Sequence, residues 1–340
     1  MSTPSSGAPV TTSVTGALPL APRRSGARLV GDFLLEYGMF VALVALIVFF
    51  SIASPYFLTQ QNLINIGLAV SISGIMAAAI TVGLIAGQLD LSIGAVLGLS
   101  AVVTALGIEK FGLPMPLAVA IAIAVSLVVG LINGALVVDV GINAIIVTLA
   151  MALTLRGFSA MLTGGQTVTI SDGLLQGLVN SRPLGIPVPI YIAVMIFGVL
   201  YVYLTRTRSG WHVYAVGGNS SAALRAGINV KMIYRGTFLL TAVAACIGGI
   251  ISTGRAGAGG PFFGTGAEFD VLTAVLLGGI GLGGGAGRIE RTLAGVVLIG
   301  VLNNGLTLLS VDSYVQATVR GAVFVLAVIL GAIALKRRSR

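Results

Sequence analysis

Charge is scarce in this chain. Only 9% of its 340 residues are Asp, Glu, Lys or Arg, too few to cover one soluble core of that size with a polar shell. Cysteine is all but missing. Cys246 stands alone, which excludes an internal disulfide and a thiolate metal site built by this chain; its apolar surroundings mark it as a buried structural thiol. His212 is the single histidine, so zinc or iron sites built on several imidazoles are excluded on ligand count. A nucleotide loop is missing too. GRAGAGGPFFGTGAEFD (Gly254–Asp270) and GLGGGAGR (Gly281–Arg288) are glycine-rich, but no Lys-Ser or Lys-Thr follows either. Tight external turns and close helix packing are their expected uses. No acid, base and nucleophile cluster stands out in the apolar sequence, so the chain does not read as an enzyme.

What remains is apolar. Hydrophobic residues make up 56% of the chain and the mean hydropathy is +1.07. From Tyr37 to Leu89 no Asp, Glu, Lys, Arg or His occurs, and one membrane crossing takes roughly 20 helical residues, so this interval alone holds two. Charge-poor stretches recur between Leu91 and Val311. The pattern predicts an all-α polytopic membrane protein of about ten transmembrane helices, at 34–53, 62–86, 90–108, 116–138, 143–163, 188–205, 232–252, 269–284, 290–309 and 314–335. The break at Gly87-Gln88 fits a broken or re-entrant element between the second and third.

Residues 1–33, rich in Ser, Thr, Pro and Gly and carrying Arg23, Arg24 and Arg28, read as a disordered cytosolic tail rather than a cleaved signal. Residues 34–335 read as one transmembrane domain with a cytosolic loop at 206–231, and residues 336–340 as a basic cytosolic tail. The net charge of +9 is spread between apolar runs without aromatic interleaving. That suits the excess of Lys and Arg on cytosolic loops, not nucleic acid. An even number of crossings keeps both termini, Arg206, Arg208, Arg225, Lys231, Arg288 and Arg291 on one side, and only Lys110, Arg182 and Arg255 outside.

In the central loop, Asn219 or Ser220 can cap a short helix through Ala222, Ala223 and Leu224, and Gly227 can end it. Gly217 and Gly218 precede it as a hinge. A docking helix for a soluble partner and an ordinary capped connector are both consistent with this pattern.

A motif order occurs twice. QLDLSIGAVLGLS with Asp90 precedes NGALV with Asn133 and LRG with Arg156. EFDVLTAVLLGG with Asp270 precedes NNGLTLL with Asn303 and Asn304 and VRG with Arg320. Asp90 opens the third segment and Asp270 the eighth, an odd number of crossings apart, so the two repeats are degenerate and inverted with respect to the membrane. Ionisable groups at bilayer depth are costly unless paired or hydrated, which gives Asp90, Arg156, Asp270 and Arg320 structural roles, with Asp90 near the cytosolic end. Uncharged polar residues suit a neutral solute better. Asn65, Ser73, Asn133, Asn303 and Asn304 are the pathway candidates.

AGQLDLSIG (Ala86–Gly94), INGALV (Ile132–Val137), INAIIVTLAMALTLRG (Ile142–Gly157), GGNSSAALRAGINV (Gly217–Val230), GAEFDVLTAVLLGG (Gly266–Gly279) and VLNNGLTLL (Val301–Leu309) together resemble the membrane permease family of bacterial sugar ABC importers. The resemblance implies a permease for a small neutral sugar in the bacterial plasma membrane. It implies a second, identical permease subunit, cytosolic ATP-binding subunits and a periplasmic or lipid-anchored sugar-binding protein. No cofactor is expected on this chain; ATP and Mg belong to the ATPase, which the resemblance docks on Gly217, Gly218, Asn219, Ala222, Ala223 and Gly227. Nucleosides or polyols as cargo, and a secondary transporter, are the alternatives.

Overall fold

The computed structural model describes residues 26–171 and 173–338, with side chains from 37 to 331 apart from residue 172. Thirteen α-helices occur among them: α1 (Gly26–Ala53), α2 (Gln60–Ile85), α3 (Ile93–Glu109), α4 (Met115–Val138), α5 (Ala144–Thr163), α6 (Gly173–Asn180), α7 (Val188–Arg206), α8 (Arg208–Gly218), α9 (Ser220–Arg225), α10 (Val230–Ala256), α11 (Ala267–Leu277), α12 (Ile289–Leu308) and α13 (Ser313–Arg338). Two short strands, β1 (Val168–Thr169) and β2 (Ala258–Gly259), pair antiparallel. Each expected segment has its helix. The boundaries differ at the termini: α1 begins at Gly26, inside the expected tail, and α13 runs on to Arg338. Residues 1–25 and 339–340 of the expected tails lie outside the described residues.

Local chemistry sets many of the helix ends. Thr59, Asn143 and Asn229 cap α2, α5 and α10, each side-chain oxygen accepting a backbone N–H of the first turn. Pro189 at the start of α7 has no N–H to leave unpaired there. Gly257, at φ +65°, lets the chain leave α10 in the left-handed conformation that a side chain resists.

Among the described residues, seven helices are long and apolar enough to cross a membrane: α2, α4, α5, α7, α10, α12 and residues 313–331 of α13. Residues 37–53 of α1 and 93–109 of α3 are shorter apolar helices. At 11 residues, α11 is only about 16 Å long, half the roughly 30 Å hydrocarbon layer.

The third and eighth segments are therefore discontinuous. Residues 86–92 leave the end of α2 without helical structure, yet 89–92 are buried, and α3 starts only at Ile93. In the eighth, the non-helical piece also precedes the helix. The backbone of 258–266 lies along α3, Gly259 against Ala101, the Phe263 carbonyl at Gly98 and the Gly264 carbonyl at Gly94. The glycine-rich run Gly254–Asp270 is thus not the external turn the sequence suggests. Its glycines admit a backbone strand into the bundle, where a Cβ on Gly98 would approach the Phe263 carbonyl oxygen to 2.6 Å. Non-helical backbone at membrane depth is tolerated where protein encloses it.

Contacts mark two ends of the bundle. Gly107 on α3 packs on Ala118 of α4, and Glu109 binds Ser171, at the end that carries β1, β2 and α6. The Ile85 carbonyl, Gly285 and Gly217 meet at the opposite end, with α8 and α9. α3 is enclosed on nearly all sides and α2 over most of its length, whereas α13 is almost wholly at the periphery. Inside, Ser100 bonds Ser126 (2.9 Å) and Thr81 bonds Thr292 (2.7 Å). Such hydroxyl pairs join helices where apolar burial cannot discriminate between partner and lipid. Cys246 is buried, as its setting predicts.

Candidate functional site

The two aspartates that open the equivalent segments have different surroundings. Asp90 is 4% exposed. Its Oδ1 accepts the Ser92 backbone N–H (2.9 Å) and hydroxyl (2.5 Å), and its Oδ2 accepts the Thr241 hydroxyl of α10 (2.5 Å). Asn133 on α4 donates to Ser92 Oγ (3.0 Å). Asp90 is thus a brace at the entrance to α3 with both oxygens occupied. It is buried because residues 89–92 are enclosed by the bundle before the helix begins.

Asp270, in the first turn of α11, is 21% exposed. Asn303 Nδ2 of α12 and Arg320 Nη1 of α13 both approach its Oδ2, each at 3.4 Å. The second repeat therefore gathers its Asp, Asn and Arg into one cluster, and the first does not. Arg156 on α5 instead pairs with Glu268 of α11, Nη2 to Oε1 at 2.5 Å. Glu268 was missed in the sequence. The available signal was register: it stands two residues before Asp270, as Gln88 stands before Asp90. Its other oxygen, Oε2, is buried without a hydrogen-bond partner against Gly94, where a Cβ would strike it.

A cavity of about 330 Å³ opens beside Asp270. Its polar lining is Ser73 of α2, Ser252 of α10, Thr265, Asp270 and Asn303; Met76, Leu97, Phe263 and Ile299 supply apolar wall. The volume falls at the lower end of the roughly 300–1,000 Å³ range of small-molecule sites. Of the sequence candidates, Ser73 and Asn303 line it. Asn133 is enclosed in the Asp90 cluster, Asn304 exchanges two amide hydrogen bonds with Asn62 (3.0 and 2.9 Å), and Asn65 is exposed beside Gln61.

At the α8/α9 end, Asn219 caps α9 by accepting the Ala222 N–H (2.9 Å), and Gly227 follows it at φ +83°, as the sequence predicts. Ala223 packs inward while Ala222, Leu224 and Arg225 face out. Gly217 and Gly218 are not a hinge. They end α8, a helix the sequence reading did not separate, and are wedged in a backbone junction. A Cβ on Gly217 would overlap the Ile85 carbonyl, which already accepts the Gly285 N–H (2.8 Å), while Gly285 abuts Gly218. Tyr214 of α8 adds a bond from its hydroxyl to the Gly287 carbonyl (3.1 Å). Burial first, and the Glu290 charge second, hold that phenol above its ordinary pKa, so it stays a donor; Arg288 opposes them weakly. α8 thus meets the start of the third segment, at Ile85, and the end of the eighth, at Gly285 and Gly287.

The profile described as "Branched-chain amino acid transport system / permease component" matches residues 62–328. The chain is 40% identical over 304 residues to the ribose import permease protein RbsC of Escherichia coli K12, covering 88% of this chain and 94% of that one. It is 38% identical to the ribose import permease protein RbsC of Bacillus subtilis, over 87% and 92% of the two chains. To the D-allose transport system permease protein AlsC of E. coli K12 it is 33% identical, over 87% and 91%. No solved structure matches it. With its broken segments, its capped α9 and relatives aligned along nearly their whole length, the chain belongs to the branched-chain amino acid transport system / permease component family, among the permeases of bacterial sugar ABC importers.

Proposed function

We propose that this chain forms the membrane pathway of an importer for a small neutral sugar, working as one of two identical permease subunits. A cytosolic ATPase, carrying ATP and Mg, binds at α8 and α9, and a periplasmic or lipid-anchored binding protein delivers the sugar at the β1/β2 end. The α8/α9 end and both termini then face the cytosol. The observation that carries the reading is the glycine junction. A force applied to α9 passes through Gly217 and Gly218 to the backbone of residues 85–87 and 284–285, which are the feet of both discontinuous segments. Packed backbone does not stretch, so displacement of α8 shifts α3 and α11 as units between two arrangements.

ATP binding on the partner biases the pair toward one access state and hydrolysis returns it. Selectivity rests mainly with the binding protein, because a site that holds its cargo tightly releases it slowly. The test is reconstitution of the chain with its ATPase in liposomes. Sugar-loaded binding protein is expected to stimulate ATP hydrolysis and sugar uptake together. Uptake that persists without ATP and follows a proton or sodium gradient overturns the reading in favour of a secondary transporter.

A further inference from the structure

The repeated motif supplies two aspartate and asparagine clusters, and the structure closes one and leaves the other open. At Asp90 both carboxylate oxygens have donors, Asn133 donates to Ser92 while its own Oδ1 is buried without a partner, and the cavity beside Asp270 does not reach the cluster, whose side chains are almost wholly buried. At Asp270 both donors converge on Oδ2, and no hydrogen bond reaches Oδ1 among the described residues. Asn303 offers its amide to Asp270 and keeps Oδ1 without a partner although that atom is buried. Both residues line the cavity of about 330 Å³, with the hydroxyls of Ser73, Ser252 and Thr265 and the ring of Phe263 around it.

We propose that this cavity is the transit site of the solute and that its specificity is for a ring-form polyol. Asp270 Oδ1 and Asn303 Oδ1 accept two hydroxyl protons of the solute. Ser73, Ser252 and Thr265, each able to donate or accept, bind other hydroxyls, and Phe263 covers the apolar C–H face. An unpartnered buried carbonyl carries an unrelieved desolvation cost, and a hydroxyl-bearing solute relieves that cost where an apolar one does not. Arg320 keeps the carboxylate paired, so a neutral cargo needs no counter-ion. The Asp90 cluster is the fixed counterpart: it holds α3 still while the second repeat receives the solute. The site lies at the start of a half-length helix inside the bundle, where discontinuous helices of transporters place their ligands.

This inference rests on the permease reading, and its test separates the two. In the reconstituted complex, Ser73→Cys is labelled with a small cationic methanethiosulfonate during turnover; the native Cys246 is buried. D-ribose, L-arabinose and D-allose are each added with binding protein. At a concentration twice its Kd, a transported sugar is expected to slow labelling about threefold, the 1 + [L]/Kd of simple occupancy. Asn303→Leu in the same background is expected to abolish the protection, as is the near-isosteric Thr265→Val should the leucine variant fail to fold. Asn304→Ala, its neighbour on α12, is expected to retain it. Labelling that no sugar slows, in a complex whose ATP hydrolysis those sugars stimulate, overturns the transit site alone. Absence of any sugar-stimulated hydrolysis in the complex that keeps the native Ser73 overturns the permease reading and the site with it.

Discussion

Arg156 and Glu268, 112 residues apart, form an ion pair at 2.5 Å that ties α5 of the first repeat to α11 of the second. Glu268 is 6% exposed and Arg156 about a third. Truncating one partner of a fully buried pair costs about 3–5 kcal/mol because the other charge is stranded, and the exposure of Arg156 lowers that here. Arg156→Met is expected to destabilise the protein by about 2 kcal/mol, read as a lower midpoint of thermal unfolding in detergent. Adding Glu268→Gln is expected to recover more than half of the loss, and strictly additive losses would show that the pair carries no coupling.

Gly217→Val places a branched side chain where the Ile85 carbonyl stands. The expected result is a protein that still reaches the membrane but whose ATPase no longer responds to sugar-loaded binding protein. Normal stimulation in this variant would remove the junction from the coupling route.

Loss of the Asn219 cap acts one step further out. Asn219→Ala removes the acceptor for the Ala222 N–H, worth about 1 kcal/mol of helix stability, on a helix of six residues. Co-purification of the ATPase subunits should fall, and Asn219→Ser should restore it.

Asn62 and Asn304 join α2 to α12 by a reciprocal amide pair. Interhelical hydrogen bonds of this kind average about 0.6 kcal/mol and reach about 1.7. Asn304→Ala is expected to lower thermal stability within that range and to leave the KM for sugar uptake unchanged. A shifted KM would return Asn304 to the pathway.

At the β1/β2 end, Glu109 accepts the backbone N–H and the hydroxyl of Ser171, each at 2.8 Å, and those bonds hold its carboxyl below the usual value of 4.5. A depressed folded pKa means the contribution is full above the ordinary carboxylate range and disappears as pH falls through the lower folded value. Amide exchange at Ser171, compared with a distant reference amide, should rise in that acid window. In Glu109→Gln the rise should be absent, because exchange there is already fast at neutral pH.

Much of this architecture is legible along the chain. Hydropathy locates a helix in each of the ten expected segments, because lipid and water sort residues locally. Asn219 and Gly227 announce α9 because capping depends on residues within one turn. The repeated Asp, Asn and Arg order announces two related halves. α8 escapes notice because its apolar and polar residues are mixed and nothing breaks the sequence at Thr207 beyond a single capping hydroxyl.

Sequence alone settled that the chain is a multi-pass membrane protein and which family it joins, since those properties belong to each residue and its solvent. Folding in three dimensions decided that the third and eighth crossings are broken, that Arg156 chooses Glu268, and that Asp270 stays open while Asp90 is sealed. Equivalent motif positions had different outcomes because a carboxylate inside the bundle is defined by the donors that reach it. Beyond the neighbouring Ser92, those donors come from Thr241 in one case and from Asn303 and Arg320 in the other, positions brought alongside only by packing.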